Sequence, residues 1–254
     1  MIGLFITARH EATRLPGKML APVCGMPVLA LVIERAKAAS GIDRVVLCTT
    51  RRDSDDALVD LACSEGIEIH RGSTEDVLAR YLGAAQAFGI ENVVVADGDD
   101  LFCEPQMVTQ VADCLSSGTA DFVQIKGMPY GTFPYGMSTA ALSTVCGIKD
   151  EQDTQGWGRY FTQTGLFRVT TLEAPEPWHH PEYRMTLDYE EDLEFVRIVY
   201  QRLYQPGRPV DLDDVFALLR SEPGISEINA WRQAEYQARF DRQYAHIKLK
   251  KEIP

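Results

Sequence analysis

The most constraining feature of this sequence is an alternation, repeated four times, of a short apolar run with a longer stretch of helical periodicity. Ile2, Leu4, Phe5 and Ile6 make the first run, and residues 44–49, 67–70 and 92–96 make the next three. The first run reads as a buried parallel strand rather than a helix, residues 44–49 as a strand buried on both faces, and residues 67–70 and 92–96 as further short strands. Between them, residues 27–39 place Val28, Leu29, Val32, Ile33 and Ala36 on one helical face, with Pro27 suited to the first turn. Ser54 is placed to cap a helix carrying Leu58, Leu61 and Ala62, residues 76–88 form a third, and another opens at Pro105. Strands and helices alternating at this spacing predict an α/β fold with a mostly parallel sheet covered on both sides.

Regularity fades beyond residues 121–126. Residues 128–136 mix prolines, glycines and aromatics, which suits an irregular excursion or a short hairpin. Residues 147–182 are polar, and Pro175, Pro177 and Pro181 interrupt any helix there. Periodicity returns with a short strand at 184–187 and a helix at 190–204, striped by Leu193, Val196, Tyr200 and Leu203. Val215, Leu218 and Leu219 mark one more helix, while Trp231, Tyr236, Phe240 and Tyr244 suggest a last one packed on the body or on a second subunit. With no repeat and no long linker, residues 1–254 read as one domain with an irregular lobe at about 128–182.

Composition narrows the partners. A net charge of −12 argues against a nucleic-acid-binding surface and makes any local cluster of cations conspicuous. No stretch approaches the ~20 apolar residues of a membrane helix, and the first residues do not read as a signal peptide. Six cysteines without a Cys-x-x-Cys pair, mostly in apolar surroundings, predict reduced thiols in a cytoplasmic protein and no zinc site. His179-His180 beside Pro181 reads as a solvated turn rather than part of a metal centre.

The scarce positive charge gathers after the first strand, where Arg9, Arg14 and Lys18 share one loop broken by Pro16-Gly17. The carboxyl end of a strand in an open α/β sheet is where a polyphosphate binds, and loop N–H groups can form an anion-binding concavity. No Gly-x-x-x-x-Gly-Lys-Ser/Thr spacing is present, so this is not a P-loop. After the fourth strand comes Asp97-Gly98-Asp99-Asp100, which reads equally as a solvated turn or as a carboxylate set for Mg²⁺. Asp188 sits where a strand ends and a helix begins, and with Glu191 it can serve as a helix cap.

Ala8-Arg9-x-x-x-Thr13-Arg14-Leu15-Pro16-Gly17-Lys18-x-Leu20 resembles the opening of the cytidylyltransferases that activate acidic sugars. The likeness is to the spore-coat polysaccharide biosynthesis protein F and acylneuraminate cytidylyltransferase-like branch, which includes the CMP-sialic acid and CMP-KDO synthetases. It spans about residues 2–229 and implies a three-layer α/β/α nucleotidyltransferase (Rossmann-like) fold, usually a homodimer. It also implies a reaction: an acceptor oxygen attacks the α-phosphorus of CTP and pyrophosphate leaves.

By this resemblance, Arg9, Arg14, Lys18 and Asp99 act in catalysis, and Asp99 with Asp188 holds Mg²⁺, with Asp97 or Asp100 as open alternatives. Nucleotide contacts fall to Ala8, Arg9, Thr13, Lys18 and Asp97, and to Arg71, Ser73 and Asp76 in the stretch Arg71-Gly-Ser-x-x-Asp76-Val-Leu-x-Arg80-Tyr81. Without the resemblance that stretch is a helix start capped by Ser73 or Thr74. The acceptor, an acidic sugar, sugar phosphate or phosphonate, is expected near Tyr135, Gly136 and Arg159.

Several positions depart from the family pattern. Asp100 replaces the proline after Gly-Asp, Ser138 replaces an acidic residue, Ala12 replaces a serine, and residues 153–162 replace an Arg-Glu-His run. These changes leave the acceptor and the base open. A guanylyl- or other nucleotidyltransferase and a non-catalytic nucleotide-binding relative therefore stand as alternatives.

Overall fold

The computed structural model describes residues 1–154, 156–243 and 246–250. It opens with β1 (Ile2–Thr7), a loop ending in a 3-10 turn at Lys18–Leu20, and a small hairpin of β2 (Pro22–Val23) and β3 (Met26–Pro27). Then come α1 (Val28–Lys37), β4 (Arg44–Thr50), α2 (Asp56–Ser64), β5 (Glu68–Gly72), α3 (Val77–Phe88), β6 (Asn92–Asp97) and α4 (Pro105–Ser116). The second half holds β7 (Phe122–Lys126), β8 (Tyr135–Ser138), α5 (Thr139–Ile148), α6 (Gly158–Thr162) and β9 (Val169–Glu173). Four helices complete it: α7 (Glu190–Leu203), α8 (Leu212–Ser221), α9 (Gly224–Ala230) and α10 (Arg232–Gln243).

Seven strands form one sheet in the order β5-β4-β1-β6-β8-β7-β9, and only β8 runs against its neighbours. Alternation along the inner strands divides the core. Leu4, Ile6, Leu47 and Val94 join a cluster with α1, α2, α4, α7 and α8, whereas Phe5, Val46, Val93 and Val95 join one with α3, α5 and α6. Helices thus cover both faces, which is the expected three-layer α/β/α arrangement. All six cysteines are free; Cys48 and Cys103 are buried, and Cys24 and Cys63 are exposed. Among the described residues no helix is long and apolar enough to cross a membrane.

Residues 128–182 carry more order than their composition suggests. They supply β8 and β9 to the main sheet and α5 to one of its faces. These strands escape a periodicity reading because β8 is four residues long with a central glycine and β9 is a half-exposed edge. Residues 184–187, expected as a strand, make only one bridge among the described residues, Tyr130 to Arg184, and are not part of a named strand. Tyr244 lies outside the described residues.

The entry to α7 also differs from expectation. Its cap position is Tyr189, and Asp192 accepts the N–H groups of Asp188 (2.8 Å) and Tyr189 (3.0 Å). The Asp192 carboxylate, fully buried, also takes both Nε and Nη2 of the buried Arg184 (each 2.9 Å) and Nδ2 of Asn229 (2.9 Å). That leaves the Asp188 side chain free of capping duty. Removing one partner of such a buried pair leaves a charge without compensation. Asp192→Ala is therefore expected to lower the unfolding free energy by about 3–5 kcal/mol in urea denaturation.

Candidate active site

The site begins with sheet register. Thr7 at the end of β1 pairs with Asp97 at the end of β6, so the cationic and acidic loops leave the sheet side by side. Gly98 lets them touch, since its N–H donates to the Thr7 carbonyl (2.9 Å). A Cβ at residue 98 would stand 2.7 Å from that oxygen and 3.0 Å from Ala8 Cβ.

A carboxylate from the next strand connection holds the cationic loop in place. Asp55, almost fully buried before α2, accepts the His10 N–H (2.7 Å), the Thr49 hydroxyl (3.1 Å), the Thr50 N–H (3.1 Å) and the Thr50 hydroxyl. Burial alone would push this carboxyl up. The His10, Thr50 and Thr49 hydrogen bonds outweigh burial and hold it below the usual carboxylate range. The helix expected to start with Ser54 as cap instead has Asp55 at that position, with its side chain turned to the loop.

A third segment brings in Asp188. Gly131, at φ +100°, lies so close to the chain at 185–186 that a Cβ would fall 2.4 Å from the Thr186 nitrogen. The Met185 N–H donates to the Tyr130 carbonyl (2.8 Å) and the Leu187 N–H to that of Asp99 (2.9 Å). The Lys18 ammonium then joins all three segments, donating to Asp99 Oδ2 (2.5 Å), the Leu187 carbonyl (2.7 Å) and Asp188 Oδ1 (3.2 Å). Arg14 also pairs with Asp188 Oδ1, its guanidinium 5.5 Å from the Tyr189 ring and 5.9 Å from that of Tyr236.

These contacts sort the acidic groups. Burial works against the Asp188 anion, but Lys18, Arg14 and Arg184 win and hold its carboxyl at about 2. Burial and then Asp99 push Asp97 up to about 7, and burial, Asp99 and Asp97 push Asp100 well above its ordinary value. Asp97, Asp99 and Asp100 each offer an oxygen within 4.8 Å of the others. Crowded hard oxygen donors of this kind suit Mg²⁺.

Around them opens a cavity of about 450 Å³. Of the residues expected from sequence, Ala8, Arg9, Thr13, Arg14, Lys18, Asp97, Asp99 and Asp188 line it. The others lie elsewhere. Arg71 turns away, donating to the carbonyls of Thr50 (2.8 Å) and Arg52 (2.6 Å) and pairing with Asp56. Ser73 and Asp76 build the start of α3: Ser73 Oγ accepts the Asp76 N–H (3.0 Å), and the Asp76 carboxylate caps Ala79 (3.0 Å) and pairs with Lys149. Tyr135 packs on Trp157 (5.4 Å), Gly136 lies in β8 against Val111 and Leu115, and Arg159 pairs with Asp241 (2.7 Å). His180 rests on the Phe216 ring (4.8 Å) beside the exposed His179.

Sequence reasoning passed over Arg80 and Tyr236, which both line the cavity, together with Arg239. The signal for Arg80 was present: a cation spaced with Val77, Tyr81 and Ala84 on the buried face of a helix. Its guanidinium donates to the Ser73 carbonyl (2.6 Å) and the Thr7 hydroxyl (3.1 Å), which ties α3 to the end of β1.

Comparison with known proteins gives these residues a context. A family model described as cytidylyltransferase matches residues 4–157. The spore coat polysaccharide biosynthesis protein SpsF of Bacillus subtilis is 28% identical over 226 residues, covering 86% of this chain and 93% of that protein. The 3-deoxy-manno-octulosonate cytidylyltransferase of Tolumonas auensis is 30% identical over 229 residues, covering 85% and 82%. In fold, a cytidylyltransferase from Leptospira borgpetersenii superposes with a TM-score of 0.80 at 24% identity, over 89% of this chain and 96% of that one.

The tether of the cationic loop can be tested by pH. Because the folded Asp55 carboxyl lies below its unfolded value, about 3.9, its stabilisation is complete above that pH and is lost as the pH falls further. Asp55→Asn should lower the unfolding free energy at neutral pH by about 1–3 kcal/mol. Its stability should then fall less steeply than that of the unmutated chain below about pH 4, followed by denaturation at stepped pH.

Proposed function

Because the chain belongs to the cytidylyltransferase family and is therefore a nucleotidyltransferase, we propose that it transfers CMP from CTP to an anionic acceptor and releases pyrophosphate. The observation that carries this reading is the meeting of Lys18 with Asp99 and Asp188 at the carboxyl edge of the sheet, beside Arg9 and Arg14. In the proposed reaction an acceptor oxygen forms a bond to the α-phosphorus as the α–β bridging bond breaks, and its electron pair departs with pyrophosphate. Arg9, Arg14 and Lys18 offset the charge that gathers on the leaving group. Asp99 and Asp188 would hold Mg²⁺, which when bound neutralises the phosphates and orients the displacement.

Positioning and electrostatics carry such a transfer. An acceptor that is already ionised needs no base to activate it, and among the described residues no histidine lines the cavity. A sugar phosphate or a phosphonate fits this chemistry directly, whereas an acidic sugar reacting through a hydroxyl needs a base or the metal ion to take its proton. The name of the Bacillus subtilis relative, a spore coat polysaccharide biosynthesis protein, supports a place in surface polysaccharide or related biosynthesis. A homodimer in the cytoplasm is the expected setting of this activity.

The test is pyrophosphate release with Mg²⁺ across CTP, GTP, UTP and ATP, each against keto-sugar acids, sugar phosphates and phosphonates. Release is expected with CTP and to vanish on chelation of the metal. Lys18→Ala and Asp99→Ala should each lower the rate on the order of 10²-fold or more. Release with GTP alone would overturn the base, and absence of nucleotide binding would overturn the whole reading.

A further inference from the structure

The cavity has a wall that the cationic loop does not supply. Helix α10 lies against the site through Tyr236, whose hydroxyl shares a 2.5 Å hydrogen bond with that of Tyr130. Its ends are fastened as well. Arg232 pairs with Glu191 on α7 (2.9 Å), and Asp241 pairs with Arg159 on α6 (2.7 Å). Tyr236 and Arg239 are three residues apart on this fixed helix, hence on one face, and both line the cavity.

Arg239 is unlike the other cations around it. Lys18 and Arg14 are engaged with Asp99 and Asp188, and Arg80 is engaged with Ser73 and Thr7. Arg239 has no hydrogen bond or ion pair among the described residues. Its Nε, like those of Arg14 and Arg80, is sealed from solvent without an acceptor, but those two have other polar partners and Arg239 has none among the described residues. Its recorded neighbour is the Tyr236 ring, 6.0 Å away. A sealed guanidinium donor is costly unless an acceptor reaches it, and a planar fork of N–H groups matches the oxygens of a phosphonate, phosphate or carboxylate. Arg9 is the other cavity cation with no such partner, but it belongs to the loop of β1.

Resting on the cytidylyl-transfer reading, we propose that Arg239, with Tyr236 beside it, binds the anionic group of the acceptor, which makes α10 the acceptor-recognition element. In-line displacement keeps the incoming and departing oxygens on different sides of the phosphorus. The cations for the departing pyrophosphate are those of the β1 loop. Apart from that loop, α3 also lines the cavity but its Arg80 is already engaged, so the incoming acceptor is assigned to the wall of Tyr130, Thr186, Tyr236 and Arg239. Arg159 pairs with Asp241 and so fastens the end of this helix.

The experiment loads the full chain with Mg²⁺ and α,β-methylene-CTP, then titrates methylphosphonate, inorganic phosphate and pyruvate by calorimetry. The unmutated protein is expected to bind at least one of them, and the preferred anion separates a phosphonate or phosphate acceptor from a carboxylate one. Arg239→Ala should weaken that binding roughly tenfold or more without changing affinity for the nucleotide analogue. Arg239→Lys, which keeps the charge but loses the fork, should fall between. Arg242→Ala, on the exposed side of the same helix, should match the unmutated chain. In turnover, Arg239→Ala should raise the KM for the acceptor and leave that for CTP in place.

Equal anion binding by Arg239→Ala and the unmutated chain would overturn the proposal. So would a loss of nucleotide affinity instead, or the absence of anion binding in the unmutated protein. Failure of the unmutated protein to bind the CTP analogue would instead sink the cytidylyl-transfer reading. The same anion titrations without nucleotide would then still decide the role of Arg239.

Discussion

One buried ammonium organises this molecule's functional edge. Lys18 is nearly enclosed, and burial alone would favour its neutral form, yet Asp99 and Asp188 outweigh burial and raise its pKa. A charge in such a place is tolerable only while its partners stay in reach. The constraint therefore extends to whatever holds those partners. Asp99 depends on the close approach at Gly98, and Asp188 depends on Asp192 taking over the start of α7. The three connected segments, around residues 18, 99 and 188, come from distant parts of the chain; strand pairing and backbone hydrogen bonds bring them close, and Lys18 closes the junction.

Much of this could be read from the sequence because strand ends are legible. A continuous apolar run locates a buried strand, and the polar residues that follow it must lie at the sheet edge. That logic puts Arg9 and Lys18, and separately Asp97 and Asp99, at the carboxyl ends of strands; the family resemblance joins them in one site, and β1 and β6 are neighbours. Asp188 was identified as a strand-to-helix junction with an expected metal role. What the sequence could not show was that Asp192 would supply the cap and release the Asp188 carboxylate toward Lys18.

The rest was hidden for physical reasons. Arg71 and Arg80 share one motif and carry the same charge, and only packing decides which reaches the cavity. Arg71 sits at the end of β5 and finds carbonyls outside, whereas Arg80 lies on the inner face of α3 and points toward Thr7. Strands β8 and β9 are too short and too mixed to announce themselves. Helix α10 showed its aromatic stripe, but a stripe does not say which surface it covers, and Tyr236 reaches the cavity through a partner more than a hundred residues earlier.

The cavity's lining runs from Thr7 to Arg239. A chain emerging from the ribosome would complete β1, β4, β5 and β6, and could assemble the sheet's centre, well before Asp188 or α10 exists. Domains tend to fold from the first-made end as synthesis proceeds. On that ordering the nucleotide side of the cleft takes shape during translation, with Lys18 paired to Asp99 alone. The second carboxylate and the C-terminal wall dock onto a framework already standing. Biogenesis of this fold thus separates the part that grips phosphate from the part that finishes the chamber.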